Sequence, residues 1–237
     1  MKIKVVVPVA TEVWNEPIRE AYEEYKSPET EIDIENLEKG PESIESNYDE
    51  CWAGLPTLLK CEEAEKEGYD AVIDYCFGDP ALSAIKEALD IPVVGINESS
   101  VHMASTLAKK FSVIGVGPQL EMEALTEENE LVYGLDHKFT SLRSTDIAVL
   151  DIHEDFDKLY QALLEEGKKA IEEDGAQAIV LGCGSLLELA DKLEQELEVP
   201  VIDSGLAALK WAESLVKLGL SQSRLAYPSP TEKKRIE

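Results

Sequence analysis

Gly68-Tyr-Asp-Ala-Val-Ile-Asp-Tyr-Cys76 and Gly175-Ala-Gln-Ala-Ile-Val-Leu-Gly-Cys183 are two versions of one phrase. Each runs from a glycine through an apolar stretch to a cysteine. Each is followed by a helix-like segment and then by a second strand signal, Ile91-Pro-Val-Val94 in one case and Val199-Pro-Val-Ile202 in the other. The glycines and the cysteines are both 107 positions apart (175 against 68, 183 against 76), and the prolines 108 (200 against 92). A duplicated unit that carries one thiol per copy can set two thiols against each other across a cleft.

The flanking pattern fits. Ile3 to Pro8 reads as a strand, Glu16 to Tyr25 as a helix with Pro17 in its first turn, and Glu31 to Ile34 as a short strand. Asn47 to Lys66 is helical with an expected interruption near Pro56. Ala71 to Tyr75 is a continuous apolar run, the mark of a strand covered on both faces. A helix over Pro80 to Leu89, a strand over Pro92 to Gly95, and a helix capped by Ser99 or Ser100 and running to Lys110 follow. The order then restarts. Phe111 to Val116 reads as a strand, Leu120 to Val132 as a helix, Lys138 to Leu142 as a strand and Phe156 to Glu173 as a helix. Ile179 to Leu181 is the next strand, Leu186 to Glu196 a helix, Val201 to Ile202 the last strand and Leu206 to Leu218 the last long helix. The polar tail, Ser221 to Glu237, is expected to fray.

Alternating strands and helices predict an α/β fold with parallel sheets flanked by helices. The repeat makes it two similar domains, placed at residues 1–98 plus 204–237 and 99–203, whose matching thiols can face each other across one cleft. Ligands of such sheets bind beyond the carboxyl ends of the strands, where Cys76 and Cys183 fall.

Composition narrows the function. The chain has 237 residues, 49 acidic against 22 basic, for a net charge of −27. Such a surface repels nucleic acid and anionic membranes, so neither is an expected partner. It reads either as a solvated acidic surface or as adaptation to a salty cytoplasm. No apolar run reaches the roughly 18 residues of a membrane span, and the start reads as a strand rather than a signal peptide. The expected location is the cytoplasm. The four cysteines, at 51, 61, 76 and 183, form no CxxC pair, and with three histidines no structural metal site is expected. The thiols should be free. The amphipathic helices leave room for a homo-oligomer.

A buried free cysteine is commonly just a small apolar residue, and Cys51 and Cys61 read that way, as helix-face packing. Cys76 and Cys183, at matching repeat positions beside small residues, point to function. Each reads as preceding a helix start, where amides lower a thiol's pKa. The amides of Phe77, Gly78, Gly184 and Ser185 could also bind a carboxylate or carbonyl oxygen of the substrate, which gains charge when the adjacent carbon loses its proton. One thiolate then serves as general base and the opposite thiol as general acid, and the product is the mirror-image centre. Glu98 and His102, four apart, could face each other near a helix start, with a capping or structural role favoured. Asp79 reads as a helix-start residue. Asp203 reaches either the cleft mouth or the N-cap of the last helix. Gly115 and Gly117 form a lone Gly-x-Gly, too little for a nucleotide site.

Gly40-Pro-Glu-Ser-Ile-Glu45, Tyr48-Asp-Glu50, Cys76-Phe-Gly-Asp-Pro-Ala-Leu82, Pro92-Val-Val-Gly-Ile96, Phe111-Ser-Val-Ile114, Leu181-Gly-Cys-Gly184 and Pro200-Val-Ile-Asp203 together resemble the hydantoin racemase branch of the aspartate/glutamate racemase superfamily. The resemblance runs through about Leu220. It implies an isomerase of two similar α/β domains with the active site in the cleft between them, with no cofactor and no metal, using Cys76 and Cys183 as acid and base on a small-molecule substrate. A 5-substituted hydantoin or a related amino-acid-like compound is the implied substrate. Relatives that decarboxylate arylmalonates keep only the second cysteine, while maleate isomerases keep both. A cysteine-dependent isomerase or decarboxylase of a dicarboxylate is therefore one alternative, and a non-catalytic binding protein of the same fold another. The family's Asn-Pro-Asn-Thr after the first strand is here Val7-Pro8-Val9-Ala10-Thr11, and its paired threonines fall at Gly115-Val116-Gly117. The resemblance thus implies a less polar pocket, with Thr11 as the substitute for one lost hydrogen bond.

Overall fold

A computed structural model of the chain describes residues 1–233, apart from the side chains of 123–125, 127, 128 and 130. Its first half holds β1 (Lys2–Val7), α1 (Asn15–Tyr25), β2 (Glu31–Asn36), α2 (Asn47–Lys66), β3 (Ala71–Asp74), α3 (Leu82–Ala88), β4 (Val93–Gly95) and α4 (Ile96–Leu107). The second holds β5 (Phe111–Gly115), α5 (Gln119–Val132), β6 (Phe139–Ser144), α6 (Phe156–Glu172), β7 (Ile179–Leu181), α7 (Ala190–Leu197), β8 (Val201–Ile202) and α8 (Ser204–Leu218). No helix among the described residues is long and apolar enough to cross a membrane.

The strands form two four-stranded sheets, ordered β2-β1-β3-β4 and β6-β5-β7-β8, and every pairing is parallel. The repeat is thus a repeat of topology. In the first sheet Ile3 pairs with Ile32 on one side and Ala71 on the other. In the second, Val113 pairs with Leu142 and Val180. The central strands are buried because helices cover both faces, which is why their sequences are unbroken apolar runs. Chain order reverses between β1 and β3, and again between β5 and β7. Those are the points where such sheets open a crevice beyond their strand ends. Helix α8 lies against α1, α4, β3 and β4.

Several elements differ from the sequence expectation. Helix α2 runs through Pro56 without a break. Proline there withholds an N–H from the carbonyl of Trp52, but Trp52 is exposed, so water can serve that carbonyl. Helix α4 starts at Ile96, and Ser99 and Ser100 lie inside it, bonded back to the carbonyls of Gly95 and Asn97. Its cap comes from outside the helix: Asp79 accepts from the amides of Asn97 at 3.2 Å and Glu98 at 2.8 Å. The tail does not fray at once. Gln222 donates to the carbonyls of Leu89 and Ile91, and Arg224 to those of Lys86 and Glu87, which ties the tail to the α3–β4 connection. Residues 234–237 of the expected frayed segment lie outside the described residues.

Candidate active site

Beyond the carboxyl ends of β1, β3, β5 and β7 lies a partly open, mostly apolar pocket. A concave apolar pocket with a few polar groups is the usual form of a small-molecule site. The end of β1 and the residues after it supply Val7, Pro8 and Val9; the residues just beyond β3 supply Tyr75 and Cys76, those beyond β5 Val116, and those beyond β7 Gly182 and Cys183. Both thiols therefore reach one enclosure from two sheets, together with Phe77, Gly78, Gly184 and Ser185. Thr11 does not line it. That residue sits half-buried outside, and its carbonyl accepts a bond from Asn36.

Each cysteine opens a tight turn. Asp79 N–H donates to the Cys76 carbonyl at 2.9 Å, and Leu186 N–H to the Cys183 carbonyl at 3.1 Å. Both are four-residue turns closed by an i-to-i+3 bond. The expected position at a helix N-terminus does not hold, since α3 begins at Leu82 and α7 at Ala190. What faces each sulfur is the turn itself. The backbone of Gly78 favours the Cys76 thiolate, and that of Ser185 favours the Cys183 thiolate. The Ser185 hydroxyl adds a contact of 2.9 Å to Cys183 Sγ. Gly78 occupies the equivalent place beside Cys76 and brings no hydroxyl.

The lowered thiol pKa expected from helix amides is also reversed. Burial pushes both thiols up, Cys76 well above the ordinary value, with Asp74 the next cause. Around Cys183 the serine hydroxyl and amide oppose the rise. Desolvating an anion outweighs two hydrogen bonds from a turn. Cys183 is accordingly the easier of the two to ionise. Behind Cys76, Asp74 is fully buried and neither of its oxygens has a hydrogen-bond partner. Burial drives its pKa far up. Asp79 is held at about 7 by burial, against bonds from the Tyr133 hydroxyl at 2.5 Å and from the Asn97 and Glu98 amides.

Residues that sequence alone did not single out complete the walls. Trp14, Ile44, Met122 and Val149 make them apolar, and Asn129 of α5 donates to the Gly78 carbonyl at 3.1 Å, so a helix of the second half touches the Cys76 turn. Ser43 and Ile44 belong to the Gly40–Glu45 motif, the one signal available for that wall. The other acidic and thiol candidates fall elsewhere. Glu98 pairs with Lys86 rather than His102, and His102 stacks on Trp211. Asp203 is the N-cap of α8, accepting from Leu206 N–H at 2.9 Å, and burial lifts it to about 6. Cys61 is buried as expected for packing, whereas Cys51 is exposed. Among the described residues no cluster of three or more His, Cys, Asp or Glu side chains could hold a metal ion.

Fold and site together define a two-sheet enclosure with one thiol from each half, the architecture of a racemase superfamily. A family model described as Asp/Glu/hydantoin racemase matches residues 3–212, and the chain belongs to that family. A hydantoin racemase of a Pseudomonas species is 42% identical over 100% of this chain and 94% of its own length. The hydantoin racemase of Paenarthrobacter aurescens is 37% identical with both chains fully covered. The crystal structure of allantoin racemase from Pseudomonas fluorescens superposes with a TM-score of 0.93 at 34% identity, again with full coverage of both chains.

Proposed function

We propose that the protein is a cofactor-independent racemase of 5-substituted hydantoins, working by proton transfer between Cys183 and Cys76. The observation that carries this reading is the pair of equivalent cysteine turns, one on each sheet, opening into one apolar cavity. A hydantoin's C5–H is acidified by the adjacent C4 carbonyl. The Cys183 thiolate takes that proton from one face, and the C–H electron pair moves into the C4 carbonyl as an enolate. The Cys76 thiol returns a proton to the opposite face. The enzyme is left with Cys183 protonated and Cys76 ionised, ready for the other enantiomer. Amides of the two turns supply hydrogen bonds to the enolate oxygen. Walls built from Val7, Val9, Trp14, Ile44 and Met122 suit an apolar substituent at C5.

Racemisation is followed by optical rotation, and C5 exchange by proton NMR in heavy water. Wild type should do both. Cys76→Ala and Cys183→Ala should each abolish inversion, and full-rate inversion by either variant would rule out the two-thiol chemistry. Isomerisation or decarboxylation of a dicarboxylate is the weaker reading, because no lysine, arginine or histidine lines the cavity among the described residues.

A further inference from the structure

Tyr75 reads from sequence only as the last residue of a strand, yet its side chain crosses between the two halves. Its ring is 4% exposed and lies in the cavity wall. Its hydroxyl donates to the carbonyl of Gly184 at 2.9 Å. The residue before one thiol is thereby bonded to the residue after the other, across 109 positions of chain. The room for this comes from two glycines. A Cβ on Gly184 would fall 2.6 Å from Tyr75 Cε1, and one on Gly205 would fall 2.4 Å from the Tyr75 hydroxyl oxygen. The backbone is held as well, because Tyr75 N–H donates to the Val6 carbonyl at 2.9 Å. Tyr22 packs edge-on against the ring with centroids 5.9 Å apart, and donates its own hydroxyl to the Gly205 carbonyl at 2.8 Å. The phenol is thus fixed at its backbone, along its ring and at its tip.

We propose that Tyr75 is a positioning residue that sets the span between the two thiols, a role that rests on the two-thiol reading above. Proton transfer to opposite faces of one carbon needs base and acid to be right together, and a misplacement of about 1 Å can cost on the order of 100-fold in rate. The two turns belong to separate sheets, and the Tyr75 hydroxyl is a direct hydrogen bond from one turn to the other. Without it the base still removes the C5 proton, but the opposing acid is out of place. The new thiol S–H then exchanges with solvent water and returns a solvent proton to the face it came from. The outcome is exchange with retention instead of inversion.

The test compares wild type, Tyr75→Phe and Tyr22→Phe on one enantiomer of a 5-substituted hydantoin in heavy water, measuring loss of the C5 proton against loss of optical rotation. Wild type should lose one C5 proton per inverted centre. Tyr75→Phe should lower kcat at least about tenfold while KM stays within about threefold, and its exchange should clearly outrun inversion. Tyr22→Phe loses an equally buried phenol bond in the same cluster and should keep the wild-type ratio. An unchanged exchange-to-inversion ratio in Tyr75→Phe, whatever its overall rate, overturns the proposal. If that variant does not fold, Gly205→Ala, which crowds the same hydroxyl, should raise the ratio, and an unchanged ratio there overturns it equally. A wild type that neither exchanges nor inverts removes the racemase reading itself, a result distinct from an active wild type with an unaltered variant.

Discussion

Asp79→Asn should flatten the dependence of stability on pH. Asp79 sits three residues after Cys76 with φ +49°, a left-handed conformation that asparagine also tolerates, so the backbone should survive the change. Its carboxyl is buried and lifted from 3.8 to about 7. Between those two values the folded state holds a proton that the unfolded chain has released. The stabilisation from this group is therefore full below 3.8 and is lost as pH rises to about 7. A gap of about three units corresponds to roughly 4 kcal/mol in all, of which about 2 to 3 kcal/mol should be lost between about pH 5 and about pH 7.5. Asparagine cannot titrate, so this slope should vanish. The loss of one acceptor oxygen beside Tyr133 and the α4 amides adds a cost of about 1 kcal/mol that does not vary with pH. Urea unfolding of both proteins across that range measures the difference directly. Asp203, whose pKa is also raised, contributes to both curves and cancels in the comparison, whereas Asp74 owes part of its own rise to the Asp79 charge and loses part of its slope with it. Curves that run parallel within roughly 0.5 kcal/mol would refute the assignment of a raised pKa to Asp79.

The pH–rate profile should place the rising limb of kcat/KM above the ordinary thiol value of 9.0, because burial raises Cys183. Ser185→Ala, which removes the 2.9 Å hydroxyl contact, should move that limb further up by as much as about one unit, and an unmoved limb would show that the hydroxyl does not tune the thiolate. Pro56→Ala restores an N–H inside the continuous helix α2 and should stabilise the protein by about 1 to 3 kcal/mol, read as a higher melting temperature. Titration with a bulky thiol reagent should modify the exposed Cys51 first and the buried Cys61 only on unfolding, while a substrate-sized ligand should protect Cys76 and Cys183. Labelling of Cys61 at the rate of Cys51 would contradict the packing of α2.

The strands were legible because a parallel strand buried on both faces is an uninterrupted apolar run, and two such runs ending in cysteine can be aligned by eye. The convergence of Cys76, Cys183, Phe77, Gly78, Gly184 and Ser185 on one cavity followed from that alignment. Features that depend on distant partners were not legible. Asp79 reads from sequence as a helix-start residue of its own segment, but the helix it caps begins 17 residues later, at Ile96. Tyr75 finds its partner on the other sheet. The cysteines looked like helix starts because turn and helix share the same small and polar residues, and only the bond closing each turn separates them. The Pro56 break did not occur because an exposed carbonyl needs no protein partner. Thr11 was placed by analogy with a family loop whose asparagines are absent here, and the chain turns it outward instead.

The two cysteine turns share the bond that closes them but not their residues: Phe77, Gly78 and Asp79 on one side answer Gly184, Ser185 and Leu186 on the other, and only Ser185 brings a hydroxyl to its sulfur. In a reaction whose substrate and product are mirror images, that difference cannot alter the final ratio. It can alter the rates and decide which form of the empty enzyme predominates. Under the proposed two-thiol mechanism, a molecule emptied after one turnover holds its proton on the wrong sulfur for a second substrate of the same hand. It must wait for water to carry the proton across, or run backwards. Supplied heavily with one enantiomer, such an enzyme would become limited by its own recovery rather than by chemistry at carbon. The open side of the cavity then serves twice, as the door for the substrate and as the route by which solvent resets the site.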